Sequence, residues 1–359
     1  MMLIRIPLVL CILWMSELLH AQTIQNIPLQ EEHWTVEKGG QMVFEFFDGR
    51  PTMVLNGKAY ANNIAFSNGE LEMEVYANTK RSFAGFLFRK QDQNFEEVYL
   101  RMHKSNQVDA VQYTPTYHGE SNWQLYPEHQ AQVTFAHHGW NQLRIKVENL
   151  TATVFVNGEQ VLQVDNLKSG NLNGEIGVWA LFGNRFSNIS IKKTGDALVK
   201  EPYPIITPAE GIISEWQLTQ AKPYVEGQVV FNEFEKAKTT TAFTEPSGML
   251  PISKYLVKPS TGNFEANQEA FTVASTTISV ETEQTKLFSF DYSDKIVVYL
   301  NGEPIFYGNN TFRSKNNQFQ GHLGLSANKI PLHLKKGANT LHCVVIDKAN
   351  GWGLMGKLD

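Results

Sequence analysis

Residues 69–101 read GELEMEVYANTKRSFAGFLFRKQDQNFEEVYLR. The runs LEMEV, GFLFR and EVYLR alternate or stay apolar over about five residues, which is the pattern of strands whose successive side chains point to opposite faces. Similar runs recur along the chain, among them MVFEFF, LRIKVE, ATVFV, LFSFDY and TLHCVVI, and no long amphipathic helical pattern interrupts them. The sequence therefore predicts an all-β protein.

Short turns separate these runs, as in a β-sandwich rather than in strand–helix–strand units. Asn157-Gly158 and Asn301-Gly302 each follow a β-type run and lead into another. Asn-Gly supplies the positive φ angles of a two-residue hairpin turn, so both pairs predict hairpins.

A proline-containing segment divides the chain. Residues 195–210 hold Pro202, Pro204 and Pro208 with little alternation, which predicts an extended linker. The predicted organisation is a signal peptide over 1–21, a first β-sandwich over 22–194, the linker over 195–210, and a second β-sandwich over 211–359. Both sandwiches are expected to be jelly-roll domains.

Residues 1–21 carry a basic residue, an apolar run and a small residue at position 21, the pattern of a secretory signal. Export to the periplasm, the cell surface or the medium is the expectation. No later run reaches the roughly 20 apolar residues of a membrane-spanning helix. Net charge is −5 with both signs interspersed, which argues against nucleic acid as a partner. Cys343 would be the one cysteine of the mature chain, so no intrachain disulfide is expected.

Two resemblances follow from longer patterns. The stretches NGELEMEVYA, FAGFLFRKQDQNFEEVYLRMH, WNQLRIKVENLTATVFVNGEQVLQV and GEIGVWALFGNRFSNISI resemble the concanavalin A-like lectin/glucanase superfamily, including its laminin-G-like and 3-keto-disaccharide-hydrolase-like domains. The second domain, with SDKIVVYLNGEPIFYG and ANTLHCVVIDKANGWG, resembles the galactose-binding-like jelly roll. The first resemblance implies lectin or glycosidase activity, and it implies that a Ca²⁺ ion is possible.

The stretch from Phe95 to Tyr126 concentrates aromatic and planar polar residues, a composition typical of a site for a polar ring. Strand parity turns Tyr99, Arg101 and His103 to one face and Val98, Leu100 and Met102 to the other. Together with Arg89 the first three predict a basic and aromatic floor on the concave sheet; the alternative is an ordinary solvated face. Tyr117, Trp123 and Tyr126 predict a loop wall, in which Trp123 is alternatively a loop anchor. The predicted polar contacts are Arg89, Arg101, Asp109, Gln112 and Gln124.

Glu70, Glu72 and Glu74 share one strand face. On the first resemblance Glu70 matches the nucleophile and Glu74 the acid/base of concanavalin-fold glucanases, with Glu72 in place of the middle Asp. The alternative is the solvated face of an amphipathic strand. No metal motif is present, and a Ca²⁺ ion rests on the resemblance alone, with Asp109 and Asp165 as conceivable ligands.

In the second domain Trp352 stands between two glycines near Asp294, Tyr307 and Arg313 in or beside loops. These four predict a sugar platform, with packing of Trp352 against the linker as the alternative. The function predicted from the sequence is carbohydrate binding without a cofactor. Glycoside hydrolysis by a carboxylate pair is the first alternative, and a non-catalytic, partner-binding protein of the cell surface is the second.

Overall fold

The computed structural model describes residues 24–78, 80–197, 208–227, 237–259 and 267–359. The predicted signal peptide lies outside these residues, as does most of the predicted linker. Within the described ranges the chain is almost entirely β-structure, which confirms the all-β prediction. One short α-helix, α1 (Ile252–Tyr255), accompanies 3-10 turns at Glu31–His33, Met102–Lys104, Trp123–Leu125 and Pro127–His129. No helix in the described ranges is long and apolar enough to cross a membrane.

The strands of the first domain lie between Ile24 and Gly195. They are β1 (Ile24–Asn26), β2 (Trp34–Val36), β3 (Gln41–Phe47), β4 (Arg50–Phe66), β5 (Asn68–Ala77), β6 (Phe83–Gln91), β7 (Asn94–Arg101), β8 (Val111–Tyr117), β9 (Glu120–Ser121), β10 (Gln130–Ala131), β11 (Gly139–Glu148), β12 (Thr151–Val156), β13 (Glu159–Val164) and β14 (Gly174–Gly195).

These strands form two layers because β14 is long enough to belong to both. Its residues 175–181 pair with β6, and its residues 185–195 pair with β5, with an irregular register between them. The front layer runs from β8 through β7, β6 and β14 to the 57–66 part of β4, which also pairs with β2. The back layer runs from β14 through β5, β11 and β12 to β13. One apolar core fills the space between them, as in other β-sandwiches.

Strand parity was predicted well on the core side. Phe86, Phe88, Val98 and Leu100 of the front layer all lie in this core, together with Leu71, Met73 and Ile145 of the back layer. Because side chains alternate along a strand, the residues next to these core residues in sequence point outward. Those of the front layer and those of the back layer point to opposite sides of the domain. The front and back layers therefore present two separate outer faces.

The strands of the second domain form two further sheets. They are β15 (Glu215–Thr219), β16 (Lys222–Pro223), β17 (Thr239–Phe243), β18 (Met249–Pro251), β19 (Ala270–Val280), β20 (Gln284–Ser293), β21 (Lys295–Leu300), β22 (Glu303–Asn309), β23 (Asn328–Leu334), β24 (Gly337–Asp347) and β25 (Gly353–Leu358). One sheet has the order β17-β15-β19-β24-β21-β22, and the other has the order β18-β25-β20-β23. A core that includes Trp216, Phe290 and Cys343 lies between them.

Both predicted hairpins are present. Asn157 and Gly158 join β12 to β13, and Asn301 and Gly302 join β21 to β22. All four residues have positive φ angles of 52° to 88°, as a type I′ turn requires. Cys343 is buried, and burial raises the pKa of its thiol, which suits a core residue.

The two domains meet at residues 118–130, here called the docking loop. Leu125 and Tyr126 of this loop pack against Met249, Leu323 and Met355 of the second domain. The Tyr126 hydroxyl donates a hydrogen bond of 2.8 Å to Glu245 Oε1. The front-layer edge at β8 is therefore attached to the second domain rather than open to solvent.

A buried ion cluster reinforces this interface. Lys258 Nζ lies 3.0 Å from Glu120 Oε2 in the docking loop and also forms an ion pair with Asp347. The Lys258 side chain is 1% exposed. Burial opposes its charge, but the two carboxylates outweigh burial and raise the pKa of Lys258. One cation thus neutralises acidic groups from both domains.

We predict that Lys258→Met lowers the free energy of unfolding by roughly 3–5 kcal/mol, because it leaves two buried carboxylates without their cation. The exposed pair of Lys329 and Asp359, 3.5 Å apart, supplies the control, because solvent screens exposed charges and Lys329→Met should therefore cost much less than Lys258→Met. Chemical denaturation of both variants measures the difference. Equal effects would show that the buried cluster does not stabilise the interface.

Candidate functional site

Two rows of residues cross the front layer on the side away from the core, here called the front face. Register pairs place them side by side on neighbouring strands. The first row is Gln112, Tyr99, Gly85, Trp179 and Lys58, and the second row is Thr114, Glu97, Leu87, Gly177 and Tyr60. The rows bring three aromatic rings, one carboxylate and one ammonium group to the same face.

Glycines in the middle of each row make room for these rings. A Cβ at Gly85 would lie 2.6 Å from Tyr99 Cβ and 2.8 Å from Trp179 Nε1. A Cβ at Gly177 would lie 2.8 Å from Tyr60 Cδ1. Gly in a strand interior often marks such a close approach. The Tyr99 and Trp179 rings meet edge to face over Gly85, with centroids 5.3 Å apart.

Glu97 is the ionisable centre of the front face. Its side chain is buried, with Thr116 Oγ1 donating a long hydrogen bond of 3.4 Å to Oε2. Burial raises the pKa of Glu97 to about 7, although the charges of Lys58 and Arg101 and the Thr116 hydroxyl act in the opposite direction. A carboxylate with such a pKa exchanges a proton readily near neutrality, which is the property of a general acid or base.

Arg101 connects the front face to the docking loop and the second domain. Its guanidinium donates hydrogen bonds to the Tyr99 hydroxyl at 2.9 Å and to Gln112 Oε1 at 3.3 Å. It also lies 3.3 Å from Asp109 Oδ2 and 5.3 Å from the centroid of the Trp123 ring. Burial opposes the charge of Asp109, but Arg101, Gln320 of the second domain and Lys104 outweigh burial and lower the pKa of Asp109.

The structure separates the residues of the predicted floor. Tyr99 and Arg101 do lie on the front face, but both are nearly buried rather than solvated. Arg89 does not join them, which corrects the prediction: a positive φ of 54° turns it out of strand register, and its guanidinium donates to the Ser67 carbonyl at 2.7 Å. His103 stands in a 3-10 turn beyond β7, within 5.0 Å of the Phe83 ring centroid.

Tyr117 and Tyr126 of the predicted loop wall, and the predicted polar contact Gln124, are not exposed, because the second domain and the core cover them. Tyr126 and Gln124 are fully buried, and Gln124 Nε2 donates to the Gln320 carbonyl at 2.6 Å. Tyr117 is buried and donates to the Lys168 carbonyl. Gln112 is also buried, and its amide contacts Arg101, Gln130 and the carbonyls of residues 113 and 126.

Trp123 lies where a loop anchor would lie, as in the alternative interpretation of this residue. Its indole nitrogen donates a hydrogen bond of 3.1 Å to Asn350 Oδ1 of the second domain. Its ring meets Phe312 and His322 edge to face, at 5.8 Å and 5.7 Å between centroids. The ring is half-buried, so that it closes one end of the front face instead of standing free.

The four candidates of the second domain do not form a platform. Trp352 is fully buried in the core and donates to the Val345 carbonyl at 3.2 Å, so its prediction as an exposed ring is wrong. Asp294 is buried, and burial together with the neighbouring Asp347 raises its pKa to about 8. Tyr307 and Arg313 lie at the surface, Arg313 against the ring of Phe312 at 4.8 Å.

Glu70 and Glu74 lie on the outer face of the back layer, on the opposite side of the domain from Glu97. Glu70 pairs with Arg144 at 3.2 Å and Glu74 with Arg50 at 2.7 Å. The part of the chain that the structure describes holds no cluster of three or more potential metal ligands. Asp109 does not fit a Ca²⁺ ion, because Arg101 and Lys104 already occupy its carboxylate. Asp165 accepts a hydrogen bond of 3.0 Å from Gln163 Nε2.

Sequence reasoning missed Glu97, Trp179, Lys58 and Tyr60. Glu97 shares its strand parity with Tyr99 and Arg101, so the alternation that placed those two on the front face also indicated Glu97. Trp179 stands in the apolar run GVWALF, where no polar neighbour distinguishes an outward residue. Lys58 and Tyr60 come from a strand far away in sequence, and only the sheet order brings them to Glu97.

Comparison with known proteins gives a match for the first domain. Residues 26–192 match the family model described as the 3-keto-alpha-glucoside-1,2-lyase-like domain. This match agrees with the resemblance of the first domain to 3-keto-disaccharide-hydrolase-like members of the concanavalin A-like superfamily. No curated protein matches the chain. The galactose-binding-like assignment of the second domain stays a prediction.

Solved structures similar to this chain include three carbohydrate-related proteins. The carbohydrate binding module CBM66 from Bacillus subtilis has 11% identity and a TM-score of 0.36, covering 45% of this chain and 96% of its own. A beta-glucanase from Bacillus licheniformis has 10% identity and a TM-score of 0.34, with coverages of 48% and 98%. A beta-1,3-1,4-glucanase (lichenase) from a mouse hindgut metagenome has 12% identity and a TM-score of 0.32, with coverages of 48% and 94%. At TM-scores below 0.5 these likenesses establish no function.

We predict that Glu97→Gln changes how stability depends on pH. A carboxyl group whose folded pKa is raised from its ordinary value of 4.5 to about 7 stabilises the fold fully below pH 4.5 and loses that contribution as pH rises to about 7. The amide of the variant does not titrate, so the variant does not lose stability in this way. Its unfolding free energy should therefore rise relative to that of wild type between these pH values and then level off. Urea denaturation at several pH values measures the difference, and a constant difference would contradict the raised pKa.

Proposed function

We propose that the first domain binds a carbohydrate on its front face, with α-glucosides as the class that the family match favours. The observation that carries the proposal is a buried carboxylate, Glu97, in a sheet face that also holds Tyr60, Tyr99 and Trp179. Sugar sites need apolar ring surface together with a few fixed hydrogen-bonding groups. The front face combines both.

Each group has a distinct part in this binding. Trp179, which is half-buried, supplies ring area against a sugar ring, and the edge-to-face contact with Tyr99 fixes its orientation. Ionised Glu97 accepts hydrogen bonds from sugar hydroxyls, and bonds to a charged acceptor are the stronger kind. Lys58 lies beside Trp179 in the first row and keeps part of its side chain exposed, so that its ammonium can donate to a ligand oxygen.

The N-terminal signal pattern makes glycans outside the cytoplasm the first ligands to test. The second domain contributes to binding indirectly in this proposal, because it holds Trp123 and Asp109 in place beside Arg101. Carbohydrate binding by an independent site in the second domain has less support, since Trp352 is in the core and Asp294 is buried.

A second candidate function is elimination. It is favoured because the two rows of the front face hold a single carboxylate rather than a pair. Hydrolysis by most glycosidases uses two carboxyl groups on either side of the bond. Of the residues in the two described rows of the front face, Glu97 alone carries a carboxylate. One base suffices for 1,2-elimination from a 3-keto α-glucoside, the class that the family model names.

The atoms balance without a further reactant. Glu97 takes the proton from C2, which the neighbouring ketone makes acidic. The electrons of that C–H bond form the C1=C2 double bond, and the C1–O bond breaks. The leaving oxygen takes up one proton and Glu97 releases the one it removed, so that the products are the aglycone alcohol and an unsaturated keto sugar. A base with a pKa of about 7 is suited to this step at neutral pH.

We predict that Trp179→Ala reduces affinity for the best-bound α-glucoside on a glycan array by about tenfold, because it removes the ring that the sugar packs against. Trp140→Ala is the matched control. Trp140 is also a half-buried strand tryptophan, but it lies on the outer face of the back layer against Arg50. Calorimetric titration then gives the affinities. Binding that survives Trp179→Ala but fails in Trp140→Ala would move the site to the back layer and sink the proposal.

Elimination predicts a specific product from 3-keto α-glucosides. The sugar product of elimination is lighter by one water than the sugar product of hydrolysis, and mass spectrometry distinguishes the two. Glu97→Gln should lower the rate by at least about a hundredfold because the general base is lost. Glu70→Gln, on the opposite face of the domain, should retain the wild-type rate. A sugar product with the mass expected for hydrolysis would contradict elimination, and activity that is lost in Glu70→Gln but retained in Glu97→Gln would place the site on the back layer.

A further inference from the structure

A second group of rings extends the front face beyond Trp179. Phe83 pairs with Leu181 in the register of β6 and β14, two residues along each strand from the pair of Gly85 and Trp179. The Phe83 and Trp179 rings are nearly parallel, at 18°, with centroids 6.4 Å apart, and the Phe83 and Phe182 ring centroids are 6.3 Å apart. We call Phe83, Leu181, Phe182 and Arg81 the aromatic rim.

The hydrophobic side chains of the aromatic rim are open to solvent. Phe182 is 58% exposed and Leu181 is 43% exposed. Large apolar groups that are exposed side by side, rather than singly, mark interaction sites. The Arg81 guanidinium lies 5.7 Å from the Phe83 ring centroid and 5.4 Å from that of Phe182, so the cation rests against both rings.

Phe182 adopts an unusual backbone conformation for its side chain. Its φ of 68° is in the left-handed region, where a bulky residue is uncommon, and Gly183 follows with a φ of 74°. The Phe182 N–H donates a hydrogen bond of 3.1 Å to Asn56 Oδ1, which holds the turn. The irregular register of β14 between Ala180 and Asn184 therefore presents an exposed ring at the end of the front face instead of returning it to the core.

We infer that the aromatic rim is a subsite for an aromatic aglycone, the part of a glycoside beyond the sugar ring over Trp179. This inference rests on the proposed function. A second sugar would need several hydrogen-bonding groups, whereas the rim offers two phenyl rings, a leucine and one guanidinium. A flat aromatic group can pack against Phe182 and Phe83 while Arg81 lies against its face or binds an acidic substituent.

Titration of the full chain with methyl α-glucoside and phenyl α-glucoside tests the inference. We expect the phenyl glucoside to bind about five- to tenfold more tightly, as aromatic contacts of this kind contribute. Phe182→Asn should remove most of that advantage and leave the methyl glucoside within about twofold of wild type. Asn tolerates a positive φ, so this substitution keeps the turn. Phe46→Ala is the control, because Phe46 is 75% exposed on β3 outside the front face.

The outcomes separate the two proposals. Equal affinity for both glucosides, or an equal loss of both in Phe182→Asn, overturns the aromatic rim and leaves the proposed function standing. If Trp179→Ala weakens neither glucoside, or if neither glucoside binds to wild type, the proposed function fails and the rim falls with it. A phenyl preference that Phe46→Ala removes and Phe182→Asn retains places the aglycone elsewhere and also overturns the rim.

Discussion

The buried guanidinium of Arg101 is the constraint on which the arrangement of this protein depends. A guanidinium stays charged in a protein, and when buried its donors need acceptors. Tyr99, Asp109 and Gln112 supply them within the first domain. Gln320 of the second domain then donates to Asp109 at 3.2 Å, and Trp123 lies against the guanidinium and bonds to Asn350. Satisfying one cation thus orders the front face, the docking loop and the domain interface together.

These contacts between the domains give the second domain a structural role at the front face. A separate module on a linker would add avidity, since each module would bind its own ligand. Here buried apolar contacts, the Glu245 and Lys258 ion pairs and the bonds to the docking loop fix one domain against the other. The second domain therefore stabilises the end of the front face at Trp123. Of its own candidate residues, Trp352 and Asp294 are buried, whereas Tyr307 and Arg313 lie at the surface.

The core side of the fold was predictable because burial and strand period act locally. Alternation predicts that Phe86, Val98 and Leu71 lie in the core, and the two Asn-Gly pairs predict hairpins. Both patterns depend on a few consecutive residues only. The site was predicted less well. Tyr117, Gln124 and Tyr126 were expected at a surface, but aromatic and amide residues serve an interface as well as a ligand site. Alternation along β7 turns Glu97 to the front face, but only the sheet order brings Trp179 and Lys58 to the same face.

The sequence by itself determined the all-β class, the faces of the strands and the turns, because these follow from side-chain period and the φ preferences of Asn and Gly. The tertiary structure alone decided which outer residues meet. Register across β7, β6, β14 and β4 brings Glu97, Trp179, Lys58 and Tyr60 together, and docking of the second domain removes Gln124, Leu125 and Tyr126 from solvent. Burial, and with it the raised pKa of Glu97, arises from contacts between segments that no local pattern encodes.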